Sequence, residues 1–135
     1  MKSVHIIGGG TFSYVRNHLS LAAPAFGNTA RILRNYSLER FKTMDVKMHL
    51  TKMADSTSNL VTNEDISNLL SELKKDFETK VIFFNPAMCD FNGTIDDSES
   101  GKYSERLKTS EGEKSMKLTP SDKILKYIRD GRKDI

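Results

Sequence analysis

The run Val4-His5-Ile6-Ile7 leads straight into Gly8-Gly9-Gly10, and this junction constrains the chain more than any other segment. A short β-branched run closed by glycines predicts a buried strand that ends in a tight loop. A second junction repeats the pattern: Val81-Ile82-Phe83-Phe84 breaks into Asn85-Pro86-Ala87-Met88-Cys89-Asp90-Phe91. Buried parallel strands deliver their C-terminal ends to ligands in this way. Together the two segments point to a nucleotide-binding α/β domain without naming a reaction.

The intervening sequence supplies the rest of such a domain. Phe26, Ala30, Leu33, Leu38 and Phe41 fall near helical spacing, which predicts a helix over 24–41 with Pro24 in its first turn. Val46, Met48 and Leu50 alternate with polar residues, the period of a half-buried strand. Thr62 reads as an N-cap with Asp65 as its acidic partner, and Ile66, Leu69, Leu70, Leu73 and Phe77 form the stripe of a second helix. A strand over 80–85 follows. Residues 92–117 carry almost no apolar content and predict a long mobile flap. Thr119-Pro120-Ser121-Asp122 reads as the start of a last helix. The order β-α-β-α-β-flap-α requires right-handed crossovers, hence a Rossmann-like three-layer α/β domain spanning 1–135. Its sheet should be mainly parallel, with strand one central and the 80–85 strand beside it.

Composition excludes several classes. The 135 residues, 37% hydrophobic, suit one core. A net charge of +3 from 21 basic and 18 acidic residues fits an anionic small molecule, and no aromatic-rich basic stripe supports nucleic acid as a partner. The single cysteine, Cys89, allows no internal disulfide and no zinc site of its own. No apolar stretch has membrane-spanning length and no signal-peptide core opens the chain, so a cytoplasmic protein without membrane contact is expected.

Gly8, Gly9 and Gly10 would let a phosphate approach loop amides. Ser13 stands where a dinucleotide fingerprint has its last glycine, so that fingerprint is weak, and no Gly-Lys-Ser/Thr occurs, which excludes the phosphate loop of NTPases. Arg16 could clamp a carboxylate or phosphate just past the glycines, with His18 beside it. His5, His18 and His49 lack metal-ligand spacing, and the acidic cluster Asp96, Asp97 and Glu99 reads as solvated loop, so no protein-held metal is expected. Asn85 and Asp90 bracket the strand end where sugars and phosphates bind. Cys89 has no histidine placed to activate it. A flap cation such as Arg106 or Lys108 would close over developing charge.

These segments in order resemble phosphopantothenoylcysteine synthetase, the phosphopantothenate–cysteine ligase of coenzyme A synthesis. The resemblance rests on the strand-Gly-Gly-Gly-Thr start, Val15-Arg16 with Gly27 eleven residues on, Asn85 to Phe91, Arg106-Leu107-Lys108, and Leu118 to Ile124. It implies activation of a carboxylate by CTP or ATP with Mg²⁺, attack by cysteine's amine, and a homodimer. On the matching positions it assigns Gly8, Gly9, Gly10, Asn85, Ala87, Asp90 and Phe91 to the nucleotide. It assigns Arg16 and His18 to the phosphorylated acid, and Arg106, Lys108 and Ser20 to catalysis. The family's active-site asparagine falls on Ser20, and its Asn-Pro-Asp-Ile falls on Thr119 to Ile124 with one extra residue. Two readings stay open: a nucleotide-dependent ligase, and a binding domain that kept the fold and lost the chemistry.

Overall fold

A computed structural model describes residues 1–135. Its central element is β1 (Ser3–Arg16), which runs through the three glycines instead of ending at them. The first half of β1 lies between two parallel partners, β3 (Asp45–Leu50) and β4 (Thr79–Ala87). The second half turns back at Asn17-His18 into β2 (Leu19–Ala23), which pairs with it antiparallel in the register Thr11 to Ala23. The sheet is therefore mostly parallel, with strand one central and β4 beside it, and β2 is an antiparallel addition.

The alternation of β1 sorts its side chains between two helices. Val4 and Ile6 pack with Ala30 of α1 (Asn28–Arg40), while Ile7 packs with Ile66, Leu70 and Leu73 of α2 (Asn63–Lys75). Helix, sheet and helix form the three layers. Burial of each aliphatic side chain of α2 contributes about 1.5–3 kcal/mol. Thr62 caps α2 as its sequence demands: its hydroxyl accepts the Asp65 N–H at 3.2 Å, and the Asp65 carboxylate accepts the Thr62 N–H at 3.0 Å.

Three expectations need correction. The glycines form no loop, because Gly8 underlies the crossing of α1 and its place beside Ala30 leaves no room for a Cβ. The first helix starts at Asn28, behind an αL Gly27 (φ 81°); Pro24 and Phe26 precede it, and only Ala30 and Ser37 of the helix are buried. The last helix is absent: Thr119 and Pro120 belong to β6 (Met116–Pro120), which pairs antiparallel with β5 (Phe91–Ile95), and only a 3-10 segment, Leu125–Arg129, follows. The missed strands have little apolar alternation, and β6 is exposed along its whole length.

The connection between β5 and β6 is the flap, narrowed to residues 96–115. Lys114 ties it together by meeting Asp96 at 2.6 Å and Glu111 at 3.0 Å, and the Gly101 N–H reaches the Val15 carbonyl at 3.1 Å. The tail is stapled by Arg132, whose guanidinium donates to the carbonyls of Lys74 at 2.5 Å and Thr79 at 3.0 Å. No helix is long and apolar enough to cross a membrane.

Candidate functional site

The C-terminal end of β4 meets β1 and the start of α2 in a tight polar junction. Thr11 of β1 donates its hydroxyl to the Ala87 carbonyl at 2.8 Å and accepts the Cys89 N–H at 3.1 Å. Asn63, the first residue of α2, donates to the Cys89 carbonyl at 2.8 Å and accepts the same Cys89 N–H at 3.0 Å. The capped N-terminus of α2 thus fixes the polypeptide where β4 leaves the sheet. Such a strand end beside a helix start is where open α/β sheets place ligands.

A cleft of about 480 Å³ opens there, walled by Ala87, Asp90 and Asn63 on one side and by Ser121 and Lys123 on the other. The Asp90 carboxylate pairs with Lys123 at 2.5 Å, with both side chains solvent-exposed, so the pair is readily parted. Ser121 carries a buried hydroxyl with no hydrogen-bond partner. Cys89 is buried, and its thiol donates to the Thr11 carbonyl at 3.4 Å, an arrangement of a structural thiol.

A second cavity, about 220 Å³, lies where the β1–β2 arm meets the flap, and it contains both Arg16 and Arg106. Arg16 is 3% exposed. Its Nη1 donates to the Val15 carbonyl at 2.7 Å, while its Nε is buried with no partner. Asp96, Glu99, Glu105 and Glu111 line the same cavity, yet none forms an ion pair with Arg16. A buried guanidinium without a counter-charge is costly unless a bound anion compensates it.

The expected residues therefore separate into groups. Ala87 and Asp90 share the strand-end cleft, and Arg16 and Arg106 share the arm cavity. Gly8, Gly9 and Gly10 are buried inside β1 and line neither, so the expected single pocket with the glycines is not formed. Asn85 and Phe91 are exposed on strands beside the cleft, His18 is exposed at the tip of the arm, Ser20 lies in β2, and Lys108 points from the flap outside both cavities. Thr11 and Asn63 escaped sequence reasoning. The Thr62 capping box held the signal for Asn63, because it marks a helix start that must sit at the carboxyl edge of the sheet.

Away from both cavities, His5 Nδ1 and His49 Nε2 lie 2.9 Å apart with their rings stacked, and His5 Nε2 is 3.1 Å from the Ser3 hydroxyl. Burial pushes the pKa of His49 down to about 4, helped by His5 and Lys47, and burial likewise lowers that of His5. No group of three His, Cys, Asp or Glu side chains is arranged to hold a metal ion.

The fold and site geometry define a Rossmann-like α/β domain with a mixed sheet. One solved structure of this fold is the DNA/pantothenate metabolism flavoprotein from Streptococcus pneumoniae, which matches with a TM-score of 0.75 and 16% sequence identity. The match covers 100% of this chain and 67% of that one, so the present chain spans about two thirds of its neighbour's length. No family model and no curated protein matches the sequence.

Proposed function

We propose that this chain binds a nucleoside triphosphate and a phosphorylated carboxylic acid and joins the acid to an amine, as a phosphopantothenate–cysteine ligase of coenzyme A synthesis does. The observation that carries the reading is Arg16: a buried guanidinium with no direct ion-pair partner, in a cavity shared with Arg106 of the flap and with four carboxylates. The name of the structural neighbour, a pantothenate metabolism protein, supports the substrate class. In this reading Arg16 holds the anionic acid and Arg106 meets charge developing at the phosphate. The strand-end cleft takes the nucleotide, with Asp90 released from Lys123 to face the sugar and Lys123 turned to the phosphates. Asn63 and Thr11 keep the Ala87–Cys89 backbone in place. In this reading Mg²⁺ enters as the counter-ion of the triphosphate. A homodimer belongs to the same reading, and light scattering at micromolar concentration reads it directly.

A second reading keeps binding and drops catalysis. Ser20 in place of the family's asparagine favours it, as do three glycines buried inside β1. Titration of the chain with CTP, ATP and 4′-phosphopantothenate, followed by melting temperature, tests binding. Pyrophosphate release in the presence of cysteine then separates ligase from binding domain. Absence of a saturable shift with every ligand overturns both readings.

A further inference from the structure

Asp96, Glu99, Glu105 and Glu111 line the arm cavity against two guanidiniums, those of Arg16 and Arg106. The four acids belong to the flap and are exposed, whereas Arg16 is buried with its Nε unpartnered. An exposed carboxylate swung onto a buried guanidinium would relieve the cost of that charge and gain a charge-assisted hydrogen bond. Yet no carboxylate pairs with Arg16, whose Nη1 goes instead to the Val15 carbonyl at 2.7 Å. For two of the acids the reason is what else they are bound to.

The Lys114 ammonium lies outside the cavity lining and meets the Asp96 carboxylate at 2.6 Å and that of Glu111 at 3.0 Å. Hydrogen bonding to Asp96, and then to Glu111, raises its pKa above the ordinary lysine value, so it keeps its charge at neutral pH. The backbone fixes both acids around it. Asp96 and Asp97 have φ of 56° and 53°, and the Ser98 N–H bonds the Ile95 carbonyl at 3.1 Å, a tight reversal that seats Asp96 at the end of β5. Glu111 closes the 3-10 segment Thr109–Glu111, three residues before Lys114. The lysine side chain is 24% exposed against 56% for Asp96, so the cation is the anchored member of the cluster. With Asp96 and Glu111 engaged, Glu99 and Glu105 alone face the two guanidiniums, and the unpaired charges of the cavity balance.

We propose that Lys114 is a positioning residue for the anion site: by engaging Asp96 and Glu111 it keeps both carboxylates off Arg16 and leaves that guanidinium open to a phosphorylated acid. The inference rests on the reading of Arg16 as an anion site. Without the lysine charge, Asp96 and Glu111 are released into the cavity and one of them pairs with Arg16. The flap then blocks its own site, because a tethered carboxylate competes at an effective concentration that a free ligand has to overcome.

The test uses the full chain with inorganic phosphate and 4′-phosphopantothenate as probes, and follows their affinities together with the Arg16 Nε–H resonance by NMR. Lys114→Gln should weaken both probes by about tenfold or more and move the Arg16 resonance downfield in the ligand-free chain, as an ion pair forms. Adding Asp96→Asn and Glu111→Gln removes the competing charges at nearly unchanged shape, since asparagine tolerates the left-handed backbone at 96. Affinity and resonance should then return to their wild-type values. Lys117→Gln deletes the same charge from exposed β6 and measures any through-space effect. These substitutions lie outside the core clusters, so the fold is retained. The inference is overturned by unchanged phosphate affinity or an unchanged Arg16 resonance in Lys114→Gln, and by an equal loss in Lys117→Gln. Failure of the added substitutions to restore binding also overturns it, as does a wild-type chain that binds no phosphate. Phosphate binding that follows the expected pattern without any binding of 4′-phosphopantothenate upholds the inference and overturns the ligase reading instead.

Discussion

Asn63 grips Cys89 by both of its backbone groups, donating to the carbonyl at 2.8 Å and accepting from the N–H at 3.0 Å. One side-chain amide thus copies the pattern of a neighbouring strand where β4 has run out of sheet. Replacing Asn63 by Ala strips the Cys89 carbonyl of its partner while the Thr11 hydroxyl keeps the Cys89 N–H, and a loss of about 1–3 kcal/mol is expected. Urea denaturation measures it. Thr11→Val should cost a comparable amount, and because each residue keeps the Cys89 N–H satisfied when the other is lost, the double variant should cost more than the sum of the two.

Arg16 gives the opposite sign. Its guanidinium is buried without a direct ion-pair partner, so Arg16→Met should raise the melting temperature of the ligand-free chain. The same substitution should abolish the shift produced by 4′-phosphopantothenate. A variant that is both less stable and still responsive would remove the cavity from the functional reading. Arg106→Ala, at an exposed position, should leave stability unchanged and weaken nucleotide binding by about 1.5–3 kcal/mol, as for a charge-assisted hydrogen bond.

Gly9 lies in β1 with φ 103°, a region L side chains avoid, and an added Cβ would strike the Thr51 side chain. Gly9→Val should therefore unfold the domain or destabilise it by several kcal/mol, on the order of 3 or more, through strain and overlap together. Circular dichroism and a melting curve read this. Selective loss of ligand binding with the fold intact would restore the glycines to a binding role.

Stability should fall between about pH 6.5 and pH 4. His49 has its folded pKa lowered to about 4 against an ordinary 6.5, and that of His5 is lowered too. The unfolded chain therefore takes up protons first, so stability present above pH 6.5 is lost as the pH drops toward 4. With the partial exposure of the His49 ring allowed for, the loss is about 1–2 kcal/mol. Urea midpoints at pH 7 and pH 4.5 measure it, and His49→Gln should flatten the difference.

Residues 96–115 should exchange their amide protons fastest among internal segments, since most of their side chains are exposed and few backbone hydrogen bonds hold them. Strong protection in the ligand-free chain would contradict the flap.

The parallel core was legible because its signals are local and strong. Val46, Met48 and Leu50 alternate, Thr62 and Asp65 make a capping box, and Val81–Phe84 is a continuous apolar run. The β1–β2 arm was not, because glycine gives no alternation to read and Thr11–Arg16 continue as strand through pairing with residues distant from the first apolar run. β6 eluded the same reasoning: Met116 and Leu118 lie on a hairpin exposed to solvent, and Thr119-Pro120 carries a helix-start signal that cross-strand pairing to Phe91 and Asn92 overrides. Of the residues lining the two cavities, Asp90 was singled out at a strand end, Arg16 just past the glycines and Arg106 as a flap cation, and Ala87 came only with the resemblance. Their division between two cavities was not, since it depends on how the arm and flap pack.

One unbroken strand links Ile7 in the core to Arg16 in the arm cavity, a span of nine residues or about 30 Å. A force on Arg16 is therefore delivered along β1 as shear against the parallel ladders to β3 and β4, whose hydrogen bonds then share the load. The arm behaves as a cantilever clamped in the sheet, with a positive-φ residue at Gly9 and a register shift between Tyr14 and Arg16. If an anion seats on Arg16 as proposed, its pull is borne by the ladders that clamp β1 between β3 and β4.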